Sequence, residues 1–172
     1  MERGEAGLIP VDEGWFVVNA REMEWLAVDG SGAWTSFEGP HIRFEQVGVA
    51  LNVLGRGDAM AMYHAEETQE DFLVLSGEAL LIIEGQERPL KAWDFVHCPS
   101  WTEHVIIGAS DAPCIVLAVG ARRKGRGLRY PVNETALRHR AGVETETTEP
   151  SEAYRAFPEP HVTVGASVFP NP

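Results

Sequence analysis

Short apolar or alternating runs, each closed by turn residues, dominate the chain up to Gly120. They include Trp25–Val28, Ile42–Leu54, Phe72–Leu75, Ala79–Ile83, Phe95–Cys98, Val105–Ile107 and Ile115–Val119. Between them stand Asp29-Gly30, Gly55-Arg56-Gly57, Ser76-Gly77, Glu84-Gly85, Pro99-Ser100 and Asp111-Ala112-Pro113. Gly supplies positive φ and Pro removes a ladder donor, so such clusters end strands and turn the chain. Many short strands at this spacing predict an all-β sandwich or barrel. Helical periodicity is nearly absent before residue 130.

With 172 residues, the chain is expected to form one domain over 1–172. Within it, 1–45 holds N-terminal strands, 46–120 the barrel and 121–172 a C-terminal extension. No run approaches the roughly 18 apolar residues of a membrane-spanning helix. The Gly- and Pro-broken acidic start lacks a secretory signal, so a cytoplasmic location and no membrane partner are expected. The formal net charge of -12 argues against nucleic acid, whose phosphates demand a surplus of Lys and Arg. Cys98 and Cys114 read as two buried free thiols. The five tryptophans, at 15, 25, 34, 93 and 101, read as anchors of sheet packing.

The segment from Gly57 to Gly77 carries the chemistry. Strand side chains alternate, so Met60, Met62, His64 and Glu66 share one face. After a turn near Glu67–Gln69, Glu70, Phe72 and Val74 share a face of the next strand. If both faces point inward, one imidazole and two carboxylates meet beneath an apolar rim of Met60, Met62 and Phe72. Unpaired charge is costly in an apolar interior, and a bound dication offsets that cost. His104, just after the Pro99 turn and at the start of an apolar run, is the best further ligand. Imidazole and carboxylate together suit Mn²⁺, Fe²⁺, Zn²⁺ or Ni²⁺. The expected cofactor is therefore one divalent metal ion on His64, Glu66, Glu70 and His104. His97 is placed with the pocket wall or behind the ligands, and Tyr63 in packing.

These residues resemble the first motif of the cupin superfamily: a Gly, His-x-His, three or four residues, Glu, six residues, Gly. His64, Glu70 and Gly77 fit that spacing. Pro99 and His104 resemble the second motif, Pro-x-Gly-x-x-His, and Asp94 resembles the Gly-Asp turn before it. The departures are Glu66 for the second His, Trp101 and Trp93 for two glycines, and a leading Gly one residue early. The resemblance covers about residues 46–120. It implies a double-stranded β-helix (jelly-roll) barrel, here with short C-terminal helical segments. Glu66 either binds the ion, giving two His and two Glu, or turns away and leaves a His–Glu–His triad.

The function expected is metal-dependent oxygenase, isomerase or lyase chemistry on a small oxygen-bearing organic molecule, with Glu66 or Glu70 as catalytic base. A non-catalytic binding or sensing module is the alternative. A homodimer is expected, formed by the small outward face Ala59, Ala61 and Ala65 or by exchange of the 1–45 segment. Beyond Gly120, Arg122, Arg123, Lys124, Arg126 and Arg129 form a basic stretch that reads as a solvated loop. Asn133 is expected to cap a short helix through His139, stopped by Gly142, and a second covers Ser151–Arg155.

Overall fold

The computed structural model describes residues 1–169 apart from Glu13, Lys124 and Arg126, and of Ala166 the backbone alone. Lys124 and Arg126 of the basic stretch therefore lie outside the described residues. In chain order the strands begin with β1 (Glu2–Arg3), β2 (Leu8–Ile9), β3 (Glu24–Val28), β4 (Gly32–Thr35), β5 (Val47–Leu54), β6 (Ala65–Glu66) and β7 (Glu70–Ser76). They continue with β8 (Glu78–Ile83), β9 (Gln86–Lys91), β10 (Phe95–Cys98), β11 (His104–Gly108), β12 (Cys114–Ala121) and β13 (Leu128–Arg129). Helices α1 (Glu134–Arg138) and α2 (Pro150–Ala153), strand β14 (His161–Val164) and helix α3 (Gly165–Val168) complete the chain.

A large sheet runs in the order β10-β7-β12-β5-β4-β3-β14, and a small one in the order β11-β8-β9. Every neighbouring pair in both is antiparallel. The inner faces meet in one core. The large sheet contributes Leu54, Phe72, Val74, Val96, Cys98, Cys114 and Val116, and the small sheet Ala79, Leu81 and Ile106. Each large apolar side chain in that core contributes roughly 1.5–3 kcal/mol by leaving water. This is the all-β jelly roll expected. Both cysteines are buried and free.

The small sheet is covered on its second face too, which accounts for the fully buried run of β11. His104 and Ile106 face the large sheet. Val105 and Ile107 pack with Ala59, Tyr63 and Ile82 against Ala136 and Ala141 around α1. The small face at Ala59 and Ala65, expected to meet another copy, is thus largely closed within the chain: the two are 2 % and 0 % exposed. Small residues there admit the C-terminal extension at close range. The segment before β5 does not stand apart either, since β4 pairs with β5 and extends the large sheet.

Helix α1 is capped as expected, the Asn133 side chain accepting from the Ala136 N–H. It ends at Arg138, four residues before Gly142. Arg140 takes the left-handed conformation (φ 58°), and the N–H groups of Arg140 and Ala141 return to the Leu137 and Ala136 carbonyls. That is a Schellman stop with Arg in the position that favours glycine. The second helix covers Pro150–Ala153, shifted by one or two residues from expectation. Of the tryptophans, Trp25 is fully buried, whereas Trp15, Trp93 and Trp101 are 92 %, 75 % and 47 % exposed and anchor little.

Candidate metal centre

Two segments far apart in the chain meet at His64 and His104. They form an antiparallel bridge, the His64 N–H donating to the His104 carbonyl at 3.1 Å and the His104 N–H returning to His64 at 2.9 Å. Before His104 the chain must reverse, and Trp101 does this with φ 66°. There a glycine would avoid the Cβ clash that makes this region costly for other residues. The turn is fixed by the Thr102 N–H on the Pro99 carbonyl (3.1 Å) and the Trp101 N–H on the Glu66 carbonyl (2.6 Å). Trp93 similarly keeps a glycine-like φ of 75° in the turn before β10. The two tryptophan departures from the motif therefore leave its backbone path intact.

Both histidines use the same local device. His64 Nδ1 lies 2.8 Å from the Met62 carbonyl, and His104 Nδ1 lies 2.9 Å from the Thr102 carbonyl. A carbonyl only accepts, so each Nδ1 carries the proton, and in the neutral ring Nε2 presents a lone pair. Both Nε2 atoms point at one carboxylate oxygen, Glu70 Oε2, at 3.4 Å each. The ring centroids are 4.9 Å apart. His104 Nε2 is buried and makes no hydrogen bond among the described residues. One ligand atom each from His64, Glu70 and His104 lies within 4.8 Å of the others.

Electrostatics separates the two rings. Burial acts to lower the His64 pKa, but the contact with Glu70 and its charge outweigh this and leave it raised. Burial and the neighbouring His64 lower the His104 pKa. A deprotonated Nε2 on His104 is the form that binds a metal.

The other expected site residues are placed as follows. Glu66 is buried (7 % exposed) and near enough to raise the His64 pKa. It is outside the mutual 4.8 Å group, and Thr68 Oγ1 donates to its Oε2 at 3.4 Å. Phe72 packs beside the site, its ring centroid 5.2 Å from His104. Met60 packs against the barrel core. Met62 lies in a separate cluster with Tyr130, Val143 and Ala153. His97 is not in the pocket wall. Val96 and Cys98 take the inward positions of β10, so alternation turns His97 outward, where its half-exposed ring meets Asp71 at 2.6 Å. Tyr63 is fully buried packing, as expected.

Two residues of the extension that sequence reasoning passed over reach this centre. Tyr130, 4 % exposed, sits with its ring 6.0 Å from that of His64. Tyr154 Oη accepts from the Met62 N–H at 3.1 Å and is hydrogen-bonded to Tyr130. Their only signal in the sequence was aromatic character, shared with Phe157 and Phe169, in a largely polar, loop-like extension.

Beside the centre opens a cleft of about 710 Å³ whose lining includes Glu70. The strand register explains it. Across the large sheet one row runs Cys98, Glu70, Gly120, Gly48, and the next Val96, Phe72, Ala118, Ala50. The inward positions of β12 and β5 are thus glycine and alanine at this end of the barrel, and grow to Val116 and Asn52 one row deeper. A Cβ on Gly120 would lie 3.8 Å from Glu70 Oε1, so the carboxylate stands at the edge of that bare floor.

The Cupin domain family matches residues 52–120, a span containing all three clustered side chains. Over that span the chain is similar to a cupin domain, and solved cupin-superfamily structures share its fold. Among solved structures, the chain is similar to a sugar phosphate isomerase from a cupin superfamily of Silicibacter pomeroyi. Identity is 22%, coverage is 64% of this chain and 72% of that one, and the TM-score is 0.50. It is also similar to the polyketide cyclase RemF from Streptomyces resistomycificus: 13% identity, 66% and 84% coverage, TM-score 0.55. At such identities the likeness concerns the fold alone. No curated protein matches the chain. No helix among its described residues is long and apolar enough to cross a membrane.

Proposed function

We propose that His64, Glu70 and His104 hold one divalent transition metal ion, and that the chain acts through it on a small oxygen-bearing organic molecule. One observation carries this reading. Two buried imidazoles, each tied at Nδ1, aim their remaining nitrogens at the same carboxylate oxygen. Two nitrogens and a carboxylate suit Mn²⁺, Fe²⁺, Zn²⁺ or Ni²⁺, and three protein ligands leave a position open for a ligand. The Nδ1 contacts to the Met62 and Thr102 carbonyls are the orienting bonds that metal-bound histidines ordinarily make.

When bound, the ion supplies Lewis acidity toward a carbonyl or hydroxyl oxygen. The chain's own residues divide the remaining work. His64 and His104 fix the geometry. Glu70 supplies the charge that balances a dication. Glu66, buried beside His64 and outside the trio, is the carboxylate placed for proton transfer. Phe72 excludes water from one side, and the Gly–Ala floor leaves room for a molecule beside Glu70. Isomerase, lyase and oxygenase chemistry all fit this arrangement.

Elemental analysis of the purified protein tests the reading. The wild type is expected to carry close to one transition metal ion per chain, and a His64→Ala, His104→Ala double variant essentially none. Full retention of metal by a folded double variant overturns it.

A further inference from the structure

The cleft beside Glu70 carries a charge pattern that the metal reading does not use. In a chain of net charge -12, three arginines line it: Arg43, Arg122 and Arg123. Arg123 is engaged by Glu67 at 2.9 Å. Arg122 bonds Glu38 Oε2 at 2.7 Å and the Phe44 carbonyl at 3.2 Å. A guanidinium has five donors, so these contacts fix Arg122 in place and leave further N–H groups. Arg43 is exposed and has no ion pair among the described residues. The acids that share the cleft with them are Glu45 and Glu70.

The register sets Arg122 in line with the candidate metal centre. A Cβ on Gly48 would meet the Arg122 guanidinium at 3.2 Å, so the absent side chain lets that group lie over the strand. Gly48 is opposite Gly120, and Gly120 is opposite Glu70. Two strand spacings, about 10 Å, therefore separate the arginine end of the floor from the carboxylate end. A molecule of a few carbons spans that distance over a surface with no side chain in the way. At the far end Glu70 lines the cleft, and His104 Nε2 lies behind it, buried and 3.4 Å from Glu70 Oε2.

We infer that this cleft selects ligands with an anionic group, a carboxylate or a phosphate, which Arg43 and Arg122 bind while the ligand's other end faces His64, Glu70 and His104. The second half of that statement rests on the proposed metal reading; the first does not. Arginine suits the task because its planar fork pairs with two oxygens of one anion. The whole molecule is acidic and Glu38 and Glu67 pair with two of the arginines, so selection depends on the free donors of Arg43 and Arg122 rather than on the long-range field.

Calorimetric titration of the purified chain, as isolated and with Mn²⁺ added, tests this with three probes: inorganic phosphate, malate and the uncharged malamide. Metal content is measured on the same samples. At least one anion is expected to bind, with malamide weaker by about tenfold or more. Arg43→Gln, an exposed change that leaves the fold alone, is expected to weaken anion binding about tenfold with metal content unchanged. Arg122→Lys, which keeps the charge and loses the fork, should weaken it less. Equal binding of malate and malamide, no binding of either anion, or an unaltered Arg43→Gln overturns the inference. Phosphate binding that depends on Arg43 in a chain without metal would leave it standing and sink the metal reading. A full metal complement without anion preference is the reverse result.

Discussion

Removing one hydroxyl far along the chain tests how the extension supports the centre. In Tyr154→Phe the Met62 N–H loses the acceptor it meets at 3.1 Å. Met62 is 5 % exposed, and a buried donor left without a partner costs about 1–3 kcal/mol. Because Tyr154 is itself only half-buried, water reaches part of the gap, and the lower half of that range applies. Each kcal/mol lowers Tm by about 2–4 °C in a protein of this size, so a fall of about 2–8 °C is expected for the metal-free chain. The loss then passes to His64, whose Nδ1 proton is held by the carbonyl of the same Met62. Loss of a direct orienting partner costs about 10–100-fold in metal affinity. Here the lost bond is one residue further out, so a weakening of up to about tenfold is expected. Thermal unfolding with and without Mn²⁺, together with competition against a chelator, reads both effects. A variant that melts with the wild type and holds metal equally well would refute this coupling.

Other expectations follow from features away from the centre. Burial pushes the Cys98 thiol up to about 12 and the Cys114 thiol up to about 11, so both stay protonated in the native protein at neutral pH. An aromatic disulfide reagent should titrate no thiol until denaturant is added, and then two; rapid native labelling would contradict the core packing. Arg140→Gly should raise stability by about 0.5–1 kcal/mol, because it relieves an exposed residue with φ 58° at the end of α1. Urea denaturation measures this, and a destabilised variant would show that the Arg140 side chain holds something more valuable.

The clustering of His64, Glu70 and His104 was legible because its spacing is local: period-2 alternation and a turn bring His64 and Glu70 to one face, and His104 follows a Pro turn. The same arithmetic misplaced His97, since nothing in Phe95–Cys98 says which alternate set faces in until the barrel closes over Val96 and Cys98. Glu66 lies in the same register as His64, yet its side chain falls outside the trio, a matter of rotamer and local twist that no pattern encodes. The two tyrosines could not be foreseen at all, because Tyr154 meets Met62 across 92 residues and no motif ties those positions. The outward Ala face read as free for the same reason: the segment that covers it lies past the end of the motif. Gly142 was a reasonable helix stop, but α1 ends four residues sooner, with Arg140 in the left-handed position that a glycine favours and Ala141 buried in the cluster beside it.

The reciprocal main-chain bonds between His64 and His104 have a consequence for the order of events in biogenesis. Everything from β6 through β10 emerges from the ribosome between the two imidazoles. Until the later one arrives, the growing chain offers a single nitrogen and nearby carboxylates, a poor competitor for any transition ion. Under the proposed reading, capture of metal is therefore postponed to a nearly finished molecule. What is then retained depends on how well an ion suits a preformed shape, and less on which ion binds loose side chains most avidly.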